Sequence, residues 1–284
     1  MKTAASLLVL FTASGIAQQD TMTRQMWNTE FLKKRPAAAT PGKPAPPPTY
    51  KPIAQSASTA PAGAGTMLGI TLWRVRDPKP SDSPGTRVLV LKKKDDSKEC
   101  TQERMDAAAP ITQQDGYRFT FEMPVNGYLY VIDRERYADG KLSEPYLIYP
   151  NNAGDNVVVP GRLIEVPDRR EIPNYFTIEA KPSQVAEVLS FLVTPEPIPG
   201  LRFSHDPVPL DPALVATWEK KSVTKSERYE MEGGAGKTIT EIENKAGADR
   251  ANNVTQDDPL PQTLYRVSAK PGTPVLIEIP LKFK

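Results

Sequence analysis

Tyr117-Arg118-Phe119-Thr120-Phe121-Glu122-Met123-Pro124-Val125-Asn126-Gly127-Tyr128-Leu129-Tyr130-Val131-Ile132-Asp133 is the stretch that decides the fold class. Over 117–123, Tyr, Phe, Phe and Met alternate with Arg, Thr and Glu, which is the period-two pattern of a β-strand. Pro124 breaks the run, and a second β-rich run follows over 128–133. An Asn-Gly step between two such runs predicts a tight hairpin, because the favoured two-residue turn needs positive φ at both central positions.

Similar short runs occupy 67–76, 86–92, 146–149, 156–159, 162–166, 175–179 and 185–193, with Gly or Pro in nearly every gap. Short strands at this spacing, without long amphipathic helices between them, predict a mainly β protein. The expected architecture is an antiparallel β-sandwich, immunoglobulin-like or related. The charged stretch 92–100, ending at Cys100, reads as an exposed loop. Asp211-Pro212 reads as an N-cap followed by Pro at the first helical position, opening a helix to about 221. A second short helix is expected around 238–246 inside the polar tract 230–262. The C-terminal part therefore carries one or two short helices. Residues 264–269 and 274–283, flanking Lys270-Pro271-Gly272-Thr273, read as a closing hairpin that completes the sandwich.

The first 66 residues differ in character. Lys2, an apolar run over 4–13 and the small residues Gly15-Ile16-Ala17 have the three-part layout of a secretory signal peptide cut between Ala17 and Gln18. That run is shorter than the ~20 residues a membrane span needs. Export to the periplasm, cell surface or medium is expected, with no membrane-spanning segment. Residues 18–35 hold Met22, Met26, Trp27 and Phe31 at helical spacing, and 36–66 is a Pro/Ala/Thr/Ser/Gly tract expected to be a stiff extended spacer. The organisation read from sequence is thus leader (1–17), short N-terminal segment (18–35), linker (36–66), β-sandwich domain (67–199) and a C-terminal extension (200–284) packed on it.

Several chemistries are excluded or left unassigned. With 36 Lys and Arg against 34 Asp and Glu, the net charge of +2 lacks the basic excess of a nucleic-acid-binding protein. One His (His205) and one Cys preclude a zinc site built from those ligands. Gly233-Gly234-Ala235-Gly236-Lys237-Thr238 has Met231 where a phosphate-binding loop needs its first Gly. No Gly-x-Ser-x-Gly elbow occurs. An EF-hand register starting at Glu135 fails, with Tyr137 at position 3 and Tyr146 at position 12, although Asp133, Glu135 and Asp139 could form a looser oxygen cage. Glycosidase chemistry needs only two carboxylates, and nothing in the sequence singles out a pair. No catalytic, cofactor-binding or metal-binding residue is assigned. The candidate binding loops are Asp133, Arg134, Glu135 and Asp139 on one side and Asn151, Asn152 and Asp155 on another.

The Gly127-Tyr128-Leu129-Tyr130 strand, the Leu147-Ile148-Tyr149-Pro150-Asn151 strand end, the Val159-Pro160-Gly161 step, and Ile172-Pro173 followed by Tyr175-Phe176 occur in this order. In this they resemble a bacterial exported-protein domain of unknown function, elsewhere appended to caspase-like peptidases and protein kinases. The resemblance covers about 67–199 and implies a β-sandwich-like module with no known catalytic residues. The expected function is a non-catalytic envelope interaction module with a protein partner, its N-terminal segment held out as a docking arm. Two alternatives stand beside it: an extracytoplasmic glycan- or calcium-binding domain, and a carboxylate-based hydrolase. The sequence leaves the oligomeric state open.

Overall fold

A computed structural model describes residues 31–37, 48–53, 65–91, 97–112, 116–171, 173–248, 253–270 and 272–284. The leader, its Ala17/Gln18 cut and residues 18–30 lie outside the described residues. Among the described residues the protein is mainly β, with two antiparallel sheets and two α-helices. The first sheet has nine strands. Its main path runs β1 (Tyr50–Ile53), β13 (Ser226–Met231), β14 (Thr263–Val267), β2 (Thr66–Arg76), β4 (Ser97–Met105) and β3 (Arg87–Leu91), while β5 (Gly116–Glu122) pairs with β2, β9 (Ile164–Val166) and β10 (Phe176–Thr177). The second runs β12 (Val208–Pro209), β7 (Tyr146–Tyr149), β6 (Gly127–Tyr137), β11 (Gln184–Thr194) and β15 (Val275–Lys282), with β8 (Val157–Val158) on β6.

The core lies between the sheets. Phe119 and Phe121 of β5 meet Phe191 of β11, with ring centroids 5.7 and 6.3 Å apart, and Leu68, Ile70, Val131, Leu189 and Ile277 fill in around them. Edge-to-face and offset aromatic pairs of this kind add to the area they bury.

Both expected hairpins are corrected: their strands lie in opposite sheets. β5 has β2 on one side and β9 and β10 on the other, so β6 has no free edge there and joins β7 and β11 instead. The Asn126-Gly127 step is a corner between sheets, and Gly127 does not take the left-handed φ of a hairpin turn. Its glycine serves close packing: a Cβ there would sit 3.0 Å from the Thr194 carbonyl oxygen. Likewise β14 pairs with β2 and β13, whereas β15 pairs with β11.

The stretch ending at Cys100 is the other correction. Residues 97–100 begin β4, and Cys100 is buried beside Val75 and Tyr175. Ser97, Lys98 and Glu99 at its start are all exposed, and so charged a run carries no period-two signal of a strand. The two helices are α1 (Pro212–Lys221), capped by the Asp211 carboxylate on the Ala213 amide at 2.8 Å, and α2 (Glu241–Ala248). α2 starts later than expected because its capping box is Thr240/Glu243: the Thr240 amide donates to Glu243 and the Glu243 amide to Thr240 Oγ1.

The outer face of the first sheet is also covered, and the N-terminal residues do part of the covering. All seven residues of β5 are buried. Its outward side chains Arg118, Thr120 and Glu122 meet Glu165, Trp73 and Arg35 respectively. Arg35 donates to both Glu122 oxygens and to the carbonyls of Thr255, Asp258 and Pro259, which satisfies all its N–H groups. Phe31, Tyr50, Met67, Tyr229, Leu260 and Leu264 form an apolar cluster on the same face. The described ends of the N-terminal segment and the linker are therefore built into the body, contrary to the spacer-and-arm expectation. Tyr50 is the one aromatic of 36–66, and its burial recruits β1 to the sheet edge, where Pro52 is tolerated.

Arg35→Met leaves Glu122 buried without its cation. The expected loss is about 3–5 kcal/mol of stability, larger at alkaline pH than below the pH at which the orphaned carboxyl takes up a proton. Urea unfolding at two pH values checks this; a variant as stable as wild type at both contradicts it.

Candidate functional site

The inner face of β6 runs Leu129, Val131, Asp133, Glu135, and that of β11 runs Val193, Phe191, Leu189, Glu187. On both strands the core-facing positions turn from apolar to acidic at the same end. The register pairs Asp133 with Leu189 and Glu135 with Glu187, so Asp133 and Glu187 are diagonal neighbours on one face. Above them the sheets part into an open cleft of about 590 Å³, within the usual range for ligand sites. Tyr117 and Phe119 of β5, Phe176 of β10, Ile148 of β7 and Leu281 of β15 wall it, and residues 177–182 form the rim.

The two acids are within hydrogen-bonding reach of each other. Burial pushes Asp133 up to about 6, with the nearby Glu135 charge adding to the effect. Burial also pushes Glu187 up to about 8, reinforced by the Asp133 charge. The pair therefore holds a shared proton near neutral pH. The Gln184 side-chain amide donates to Glu187 Oε1 at 2.8 Å, while Asp133 Oδ1 and Glu187 Oε2 are buried and no other protein group donates to them.

Glu135 is treated differently by its surroundings. Burial acts to raise it, but hydrogen bonds from Lys181 and Tyr137 outweigh that and hold it below its ordinary value. A tight turn places Lys181: the Gln184 amide donates to the Lys181 carbonyl, Gln184 Oε1 accepts from the Lys181 amide, and Ser183 takes a φ of 64° between them.

The other candidate residues do not join this cleft. Arg134 points to the opposite face of the sheet, where it pairs with Glu219 of α1 at 2.6 Å and Glu278 at 3.0 Å. Asp139 sits on an exposed turn and holds Lys141. The Asp133/Glu135/Asp139 oxygen cage is not assembled, and no group of three His, Cys, Asp or Glu able to hold a metal occurs among the described residues. Asn151, Asn152 and Asp155 follow β7 at the far end of β6, roughly 30 Å from Asp139 along the strand. There the Tyr149 hydroxyl and Arg162 donate to the Asp155 carbonyl, so this loop is held by the fold. Tyr130 is buried and its hydroxyl accepts the Ile198 amide, so the aromatics act mainly as core and as anchors for loops.

Glu187 and Lys181 were not singled out from sequence, and Phe119 and Phe176 were read there as strand and core aromatics. The signal for Glu187 was present: one acid at core-facing parity, two residues before Leu189-Phe191-Val193.

No family model, no curated protein and no solved structure matches the chain. Among the described residues no helix is long and apolar enough to cross a membrane.

Both acids of the pair have folded pKa values above the ordinary carboxylate range, so between about pH 4.3 and about pH 8 the native state holds more protons than the unfolded chain. Their contribution to stability is fully present below that window and is lost as the pH rises through it. Glu187→Gln should melt higher than wild type at alkaline pH, with the gap shrinking as the pH falls. Glu230, pushed up to about 7 by burial and the Asp106 charge, leaves a residual slope in the variant. Calorimetric melting across this range checks it; a gap independent of pH contradicts the shared proton.

Proposed function

We propose that the chain is an exported, non-catalytic β-sandwich module of the bacterial cell envelope, working by binding, with the inter-sheet cleft as its working surface. The observation that carries this reading is an apolar-walled cleft with two convergent carboxyl groups at its floor, which is the usual composition of a ligand site. The cleft takes the place of the N-terminal docking arm, because Phe31 and Arg35 are already engaged by the body. The leader-like 1–17 segment supports export, and the resemblance to the exported domain of unknown function agrees with a role without catalysis.

A carboxylate-based hydrolase is the second reading, and the proton-sharing pair is what favours it. Glycosidases hold their two carboxyl groups about 5 Å or more apart; Asp133 and Glu187 are in direct hydrogen-bonding reach. The pair is closer to a dyad that shares one proton, and hydrolysis of a glycan or peptide abolished by Glu187→Gln would favour this reading over binding.

Methyl-selective NMR of the full chain against a set of small apolar fragments tests the binding reading. Expected are shifts concentrated on the methyls of Ile148, Ile178, Leu189 and Leu281, which line the cleft. Shifts that miss these residues, or no shifts across the set, contradict it.

A further inference from the structure

We infer that the cleft selects an ammonium group carried on an apolar stem, as in an alkylamine, an arylalkylamine or a lysine side chain. This rests on the cleft being a binding site and adds the chemical class of what it takes. Three observations converge. Asp133 and Glu187 line the floor of the cleft, and each has one buried carboxyl oxygen, Oδ1 and Oε2, to which no protein group donates, leaving the shared proton as the pair's own means of neutralisation. An ammonium brings three donors to such acceptors. Among the described residues, the charges lining the space are Asp133, Glu187 and Glu179, opposed by Lys181 alone, whose ammonium is already held by Glu135. An anionic ligand would meet uncompensated acids there, and a neutral one would leave the buried pair as it is. The walls supply the third observation: the half-buried Phe176 ring presents aromatic surface to the cleft, backed by the buried Phe119 at a centroid distance of 6.3 Å and by the buried Tyr117, which suits both an apolar stem and a nearby cation.

Binding in this form displaces the proton that the acid pair shares. Free amines keep their own proton to about pH 10, so the titrating partner is the protein. Glu135, Tyr137 and Glu179 also face the pair or its rim, together with Lys181. Of these, Glu135 is held below its ordinary value and stays ionised, and Tyr137 is raised further from neutrality. Displacement of one proton makes affinity rise by up to about tenfold per pH unit between about pH 6 and about pH 8.

Isothermal titration calorimetry of the full chain with phenethylammonium, its neutral isostere 2-phenylethanol and the anion 3-phenylpropanoate tests the inference. N-acetyl-lysine methylamide is a further arm that separates a lysine side chain from a free amine. Expected is binding of an ammonium probe at least about tenfold tighter than either isostere, with proton release shown by heats that depend on the buffer, and about tenfold or greater loss in Glu187→Gln. Preference for the free amine assigns a small-molecule ligand, and preference for the lysine probe assigns a protein partner. The affinity profile with pH is measured on the unaltered chain, so a poorly folding variant does not decide the matter. Tighter binding of the alcohol, without proton release, overturns the ammonium class and leaves the cleft as a binding site. No binding by any probe, with the cleft methyls silent toward apolar fragments, overturns both.

Discussion

The bidentate pair between Arg35 and Glu122 shows the constraint that governs this fold: a carboxyl taken out of water must be given a cation or a proton. β5 is buried on both faces, and its outer face carries Arg118 and Glu122 where an ordinary sandwich strand would meet solvent. Each is matched, Glu122 by Arg35 and Arg118 by Glu165. Arg104, stacked 5.0 Å from the Trp73 ring, answers Glu243 of α2 in the same layer. These pairs tie the N-terminal residues, α2 and the 253–262 segment to one sheet. They add a third layer to a two-sheet sandwich.

The same strand connects that layer to the cleft. While Glu122 and Arg118 fix β5 from outside, Tyr117 and Phe119 on its inner side wall the space above Asp133 and Glu187. Those two acids obey the same constraint by the other route. Lys181, the cation that lines the cleft among the described residues, is held by Glu135, so the pair keeps a proton. A group that is neutralised only by a proton is open to exchange for a cationic ligand, whereas the arginine-matched carboxyls are closed by five-donor geometry.

Much of the architecture was legible because period-two alternation survives on the inner faces of β2, β5 and β6, and because Asp211-Pro212 is a local helix-start signal that tertiary context left intact. What was not legible is long-range. Asn126-Gly127 has the local chemistry of a hairpin, but which edge β6 joins depends on β9 and β10 already lying on β5. Tyr50 gives no strand signal inside a proline-rich tract; it pairs because the cluster around Phe31 and Leu264 offers it burial. β4 was hidden by the charges of 92–99. At the site, Asp133 was singled out for its loop position, yet it matters for its parity. Its partner Glu187 lies 54 residues on, and only the β6–β11 register joins them.

Carbon-detected NMR titration of the side-chain carboxyls tests the cation-or-proton account most directly. Glu165, raised by burial but more strongly lowered by Arg118 and Arg169, should titrate below the ordinary glutamate value. Asp133 and Glu187 should titrate above theirs, with coupled curves spanning about 6 to about 8. Independent titration of Asp133 and Glu187 near about 4 would mean that no proton is shared and that the cleft floor is simply a pair of solvated carboxylates.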